Sequence, residues 1–326
     1  MDDRGLGICV IGRNESARLH SSLSSLDGRG EHRVYVDSDS TDDSVAIARC
    51  FEGFEVVQIT ERQLCTAARG RNLGFARLRA HSPELRFVQF VDGDCVITQG
   101  WLDVAMATLR ERPEVAIVAG RLREHYRDRN VYHRLADMEW GSGGVGEVDS
   151  VGGIFMIRAE VFAEVGGMNP WMAQGEEAEL ARRVRGRGHR VVRLPDEMGH
   201  HDIAIERFGQ WWTRAVREGR ATAESVRRNG LSDHHSIRHL ISMAFWGAGL
   251  PTAAATLVLP SLGLSSGLLA GYGMLWHRVR RHRMELGDTP EDASLYASAT
   301  VLGKIANATG VAGYLRDVLR RQLGRG

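Results

Sequence analysis

The sequence predicts an α/β protein with a mostly parallel central sheet, followed by a helical C-terminal region. Three observations carry this. Short apolar runs without alternation recur over the first 120 residues, as parallel strands covered on both faces require. Strand and helix patterns take turns, which is the order of a layered α/β domain. Residues 240–276 contain no Asp, Glu, Lys, Arg or His, which marks a segment of another kind.

Taken in order, residues 7–11 (GICVI) read as a strand. Residues 15–26 read as a helix, with Leu19, Leu23 and Leu26 on one face. A second strand is expected at 33–37, a helix at 42–51 and a third strand at 55–59. A helix over 66–80, a strand over 87–91, a helix over 101–110 and a strand over 115–119 follow. Residues 121–146, charged and then glycine-rich, read as a long loop. A strand at 151–157, helices at 158–165 and 176–185, and a strand at 190–194 ended by Pro195 come next. An aromatic and basic helix then starts near Ile205 and runs to about 220. The domain boundary is placed there, giving 1–220 and 221–326.

At 326 residues the chain is long enough for one large domain with an appendage, or two domains. Its net charge of +1 argues against a dedicated nucleic-acid binder. Of 42 basic residues only Lys304 is a lysine, so arginine by itself says little about function. The charge is uneven along the chain. Residues 1–238 carry 33 basic and 36 acidic residues, 239–277 carry none, and 278–326 carry 9 and 5. The start has no signal-peptide pattern, and none of the four cysteines has CxxC spacing. Both features suit a reducing cytosolic compartment.

In parallel sheets ligands bind beyond the carboxyl ends of strands, so the residues just after each strand matter most. Strand one ends in Gly12-Arg13-Asn14-Glu15, strand two in Asp37-Ser38-Asp39, and strand four in Asp92-Gly93-Asp94. The G-x-G-x-x-G of a dinucleotide site is missing after strand one, which argues against a nicotinamide dehydrogenase. Asp92 and Asp94 share one face of an extended stretch. Two such carboxylates suit Mg²⁺ or Mn²⁺, which in turn bind phosphate oxygens. The same residues also suit a plain turn.

The ordered pieces VIGRNESARL, VDSDSTDDS, ARGRNLG, FVDGD, VGGIFMIRAEVFAEVGG, GEEAELARRVRGRGHRVVRLP and HHD resemble glycosyltransferase family 2. These are inverting enzymes of the GT-A fold that use nucleotide-sugar donors. The resemblance implies a divalent metal, Mn²⁺ or Mg²⁺, and a UDP-sugar as the favoured donor. It implies that Gly12, Arg13, Asn14, Glu15, Asp37 and Asp39 line the nucleoside pocket. It also implies that Arg69, Arg71 and Asn72 approach the diphosphate or the base. Asp94 would ligate the metal, Asp92 would contact ribose or metal, and Gly93 lies between them. His201 would complete the metal site, with His200 as the adjacent alternative. Glu176-Glu177 stands where the family commonly has Glu-Asp, which makes Glu177 the expected catalytic base. Gly152 and Gly153 would let an acceptor approach the backbone. Trp140, Trp211 and Trp212 are candidate stacking residues for an acceptor sugar. The rival readings are a nucleotidyltransferase and a non-catalytic membrane scaffold.

Pro260 divides the charge-free block into 240–259 and 261–276. Arginines flank it on both sides, as expected of a hairpin with both ends at the cytoplasmic face, spanning or interfacial. This predicts a membrane-associated enzyme with a lipid-linked sugar or growing glycan as acceptor. Residues 290–326 read as one or two helices, with Val311, Leu315, Val318 and Leu319 on one face. The oligomeric state is not legible.

Overall fold

A computed structural model describes residues 3–172, 174–230 and 234–323. The chain forms two units: Met1–Arg127 with Glu139–Ile203, and Asp128–Met138 with Ala204–Gly326.

The first unit contains β1 (Leu6–Gly12), α1 (Leu19–Ser24), β2 (His32–Asp37), α2 (Ser44–Arg49) and β3 (Phe54–Gln58). Next come α3 (Ala67–His81), β4 (Phe87–Asp92), β5 (Cys95–Ile97), α4 (Trp101–Glu111) and β6 (Val115–Glu124). In chain order α5 (Val131–Gly141) comes next and belongs to the second unit up to Met138; β7 (Gly146–Glu147), β8 (Phe155–Arg158), α6 (Ala159–Glu164), α7 (Glu176–Gly186) and β9 (Arg190–His201) complete the first. The strands form one sheet in the order β3-β2-β1-β4-β8-β6-β9-β5, with β7 on β9. The β3-β2-β1-β4 half is parallel, and so is β6 with β9. Strand β8 runs antiparallel to both of its neighbours.

The apolar runs are the core. Leu6, Ile8, Cys9 and Val10 of β1 are fully buried, as are Val88, Phe90 and Val91 of β4. Phe90 packs against both Phe155 and Phe162 with ring centroids 5.2 Å apart. The buried Gln89 accepts a hydrogen bond from the Trp101 indole at 3.1 Å, so neither polar group is stranded. Helix α3 is capped by Thr66, whose side chain accepts from the Arg69 amide. It lies so close to β1 that a Cβ at Gly74 would come 2.1 Å from Cys9 Sγ. That close approach sets where α3 holds Arg71.

Three expectations for this unit change. Residues 121–146 are not a loop, because β6 runs on to Glu124 and α5 follows. Strand β9 does not stop at Pro195 but continues to His201. Its register against β6 shifts between Ala119↔Arg193 and Arg121↔Glu197, and Pro195 falls in that irregularity, where no ladder N–H is needed. The strand expected at 151–157 starts only at Phe155.

The second unit contains α8 (Phe208–Asn229), α9 (His234–Ala244), a π-helical turn (Phe245–Gly249) and α10 (Leu250–Thr256). A 3₁₀ segment (Leu264–Leu269), α11 (Ala270–Glu285) and α12 (Pro290–Leu323) complete it. The longer segment of this unit starts at Ala204, and its α8 is one continuous helix packed along α12. Arg220 pairs with Asp317 across these helices, and Arg134 pairs with Asp292. Residues 290–323 form a single helix; 324–326 lie outside the described residues. The arms expected at 240–259 and 261–276 are not continuous helices. The π-turn interrupts the first, and residues 257–269 are turns and 3₁₀ helix. Among the described residues, no helix is long and apolar enough to cross a membrane.

Candidate active site

Strand pairing brings the polar strand ends together. Gly12 pairs with Asp37, and Ile11 pairs with Asp92, so the ends of β2, β1 and β4 lie at one level. The Gly93 amide donates to the Ile11 carbonyl at 2.7 Å, which turns Asp94 away from β4. Antiparallel pairing of β5 with β9 sets Cys95 opposite His201. The residue before Cys95 therefore meets that histidine. His201 Nε2 and Asp94 Oδ2 are 3.2 Å apart.

The cleft at this edge measures about 350 Å³ and is lined by Gly12, Arg13, Glu15, Asp92, Asp94 and Glu177, among others. At its centre is Arg71, which is 1% exposed. One terminal nitrogen donates to Asp92 Oδ1 at 2.8 Å and to the Gly153 carbonyl at 3.2 Å. The other donates to Glu176 Oε1 at 3.1 Å and to Glu177 Oε1 at 3.2 Å. Arg71 thus organises three carboxylates at the floor of the cleft it was expected to line. Gly153 fits here because a Cβ would lie 2.2 Å from Asp92 Oδ2. Gly152 faces open space.

The protonation pattern separates these acids. Burial pushes Glu177 up to about 7; Arg71 opposes this and Glu176 adds to it. Burial also raises Glu15, to about 7, with Asp94 contributing and Arg18 opposing. Burial works against charge on Asp94, but His201 outweighs it and holds the carboxyl below its ordinary range. Burial likewise opposes charge on His201, and Asp94 outweighs it, raising the imidazole.

Asp94 and His201 fit a divalent ion. Adjacent ligand atoms around an octahedral ion with bonds of ~2.1 Å lie about 3 Å apart, close to their present spacing. The other ring nitrogen, His201 Nδ1, is buried and has no hydrogen-bond partner among the described residues. Cys95 Sγ is near enough to join the cluster. Burial raises that thiol far above its ordinary range, so it stays protonated and donates to Asp94 Oδ1. His200 points elsewhere, toward Glu197 at 3.4 Å.

The remaining expected residues go to several places. Asn14 Oδ1 accepts from the Thr41 amide, and the Asn14 amide donates to Ser40 Oγ, clasping two rim loops together. Asn14 and Asp39 both have left-handed backbone, which these residue types tolerate. Asp37 is fully buried, accepting from Tyr35 Oη and the Ser40 amide. It supports the pocket from behind, and Ser38 takes the lining position. Arg13 lines the mouth, 3.8 Å from Asp39. Arg69 and Asn72 hold the loop before α7 and do not reach the carboxylates. Arg69 donates to the Pro170 carbonyl, and Asn72 exchanges two 2.8 Å bonds with the Met168 backbone. Trp140 packs edge-on against His201, with centroids 4.4 Å apart. Trp211 and Trp212 belong to the second unit, where both rings pack on Phe208. Sequence reading passed over Trp171, which is 67% exposed and covered on one face by Arg69. Its signal was an aromatic residue in a polar loop leading into Glu176.

The family model described as Glycosyl transferase family 2 matches residues 8–166. The structure is similar to the mannosyltransferase PcManGT from Pyrobaculum calidifontis, solved with GDP-Man and Mn²⁺. That likeness has a TM-score of 0.59 and 18% identity, over 93% of this chain and 86% of that one. It is also similar to S. aureus TarS 1–349 in complex with UDP. Here the TM-score is 0.51 and the identity 15%, over 96% of this chain and 91% of that one. At these identities the likeness concerns the fold. No curated protein matches the chain.

Proposed function

We propose that the protein, whose residues 8–166 match the family model described as Glycosyl transferase family 2, moves a sugar from a nucleotide diphosphate sugar to an acceptor hydroxyl, with inversion at the anomeric carbon. The observation that carries this is one cleft holding both halves of the chemistry. Asp94 faces His201 on one side, and Glu177, near neutral in proton affinity, stands on the other.

Asp94 and His201, with Asp92 beside them, would hold a divalent ion. When bound, such an ion neutralises charge building on the leaving diphosphate. Arg13 at the mouth adds a guanidinium suited to phosphate oxygens. Arg71 keeps Asp92, Glu176 and Glu177 in fixed positions, so little reorganisation is needed during reaction. Glu177 takes the proton from the acceptor hydroxyl as that oxygen attacks the anomeric carbon and the carbon–diphosphate bond breaks. The bound Mn²⁺ of the mannosyltransferase neighbour supports the metal assignment. The neighbours were solved with GDP-Man and with UDP, so both nucleotides belong in the first donor screen, the UDP-sugars foremost. The acceptor is read as a lipid-linked sugar or growing glycan at the cytoplasmic face of the membrane, on the strength of the charge-free block.

The test is a thermal-shift screen of nucleotide sugars with Mn²⁺ or Mg²⁺. A ligand at ~100 times its Kd stabilises by about 2.7 kcal/mol. One nucleotide sugar should stabilise the protein only when metal is present, and Asp94→Ala should abolish that dependence, its shifts being read against the variant's own metal-free melting curve. No stabilisation by any nucleotide sugar would defeat the proposal.

A further inference from the structure

The second unit presents an apolar tip to solvent. Leu259, Leu262 and Leu264 are 85%, 94% and 84% exposed, and Leu257, Leu269 and Met274 are exposed beside them. Leu262 also has left-handed backbone, φ 50°. A leucine gains nothing from that conformation or from water, so the tip is shaped for another environment. Single exposed leucines are ordinary; a contiguous group on one turn marks an interaction surface.

The surroundings say what covers it. No charged side chain occurs from 240 to 276. Along α11 the sequence passes from exposed Met274 through Trp276 to His277 and Arg278, with Arg280 and Arg281 beyond. Trp246 packs on Tyr272 at a centroid distance of 6.0 Å, so three aromatic side chains lie between the apolar tip and the basic residues. Apolar residues, then aromatic, then basic is the order in which a lipid leaflet presents hydrocarbon, interface and anionic headgroup. At 1.5 Å per residue, Arg280 is about 15 Å along α11 from its start. That reach matches half of a ~30 Å hydrocarbon core and falls well short of crossing it.

We infer that residues 257–269 form a shallow wedge that inserts into one leaflet of an anionic bilayer, with Arg278 and Arg281 meeting the headgroups. This deepens the membrane-acceptor reading above, but vesicle binding requires neither donor nor turnover. The experiment is flotation of the full chain with phosphatidylcholine vesicles, with and without about 30% phosphatidylglycerol. The wild type should float with the anionic vesicles and stay bound when salt is raised afterwards. The triple variant Leu259→Asp, Leu262→Asp, Leu264→Asp should float at least ~10-fold less. It should keep the wild-type thermal shift with nucleotide sugar, which separates failure of docking from failure of the enzymatic reading. Arg278→Glu with Arg281→Glu should lose only the preference for anionic vesicles. Equal flotation of the triple variant, or no flotation of the wild type, would overturn the wedge. A wild-type dimer that the triple variant converts to monomer in lipid-free buffer would instead seat a second copy on this face.

Discussion

Glu177→Gln is expected to lower sugar transfer by about 10²–10⁴-fold, the usual worth of a positioned general base. The loss should appear in kcat, with nucleotide-sugar stabilisation retained, because the amide keeps the side chain's size and one acceptor oxygen for Arg71. The pH profile makes the test sharper. The base works only as the carboxylate, and its pKa is raised to about 7. Wild-type transfer should therefore climb with pH up to about 7 and then level off, and the residual activity of Glu177→Gln should lack that limb. Glu176 is the comparison. Its side chain is more deeply buried than that of Glu177 (5% against 17% exposed). Glu176→Gln should cost less in kcat; a larger loss there than at Glu177 would exchange their roles.

Arg71→Met is expected to be the most destabilising single change in the cleft. The guanidinium side chain is 2% exposed and touches Asp92, Glu176 and Glu177. Removing it leaves three acidic groups crowded without their counter-charge. Breaking a buried ion pair from one side costs about 3–5 kcal/mol. Denaturant unfolding should show an unfolding free energy lower by that amount, and transfer should be lost. Arg71→Lys should fall between the two, because an ammonium keeps the charge but lacks the planar fork that serves acceptors on two sides. Wild-type stability in Arg71→Met would mean that the three acids hold their positions without it.

The parallel half of the sheet was legible because its strands are unbroken apolar runs with polar ends. Asp92, Asp94 and the Glu176-Glu177 pair were legible for a related reason: each sits where a strand or helix begins or ends. The use made of Arg71 was not. It depends on how closely α3 lies on β1 at Gly74, a contact between residues 65 positions apart that no local pattern encodes. The partners of Arg69 and Asn72 were hidden for the same reason, since they come from residues 168–170, a loop about 100 residues away. Nothing in the sequence shows that Tyr35 and Ser40 hydrogen-bond to Asp37 from within the fold. The extension of β9 past Pro195 was hidden by a proline that normally ends strands, and only pairing with β6 and β5 overrides it. In the C-terminal half, composition marked the charge-free block but could not show where its helices break.

The burial that suits Glu177 to the proposed role of base also divides the interests of folding and reaction. An acid whose pKa is higher in the folded chain than in the unfolded one favours folding most while protonated, and that support fades as pH rises through about 7. Transfer needs the opposite state. In the pH range where Glu177 would act as the proposed base, its charge opposes the folded form. The cleft is then held open by cohesion elsewhere: the fully buried strands β1 and β4 and the aromatic cluster of Phe90, Phe155 and Phe162. Mild acid should therefore leave this pocket better knit and idle.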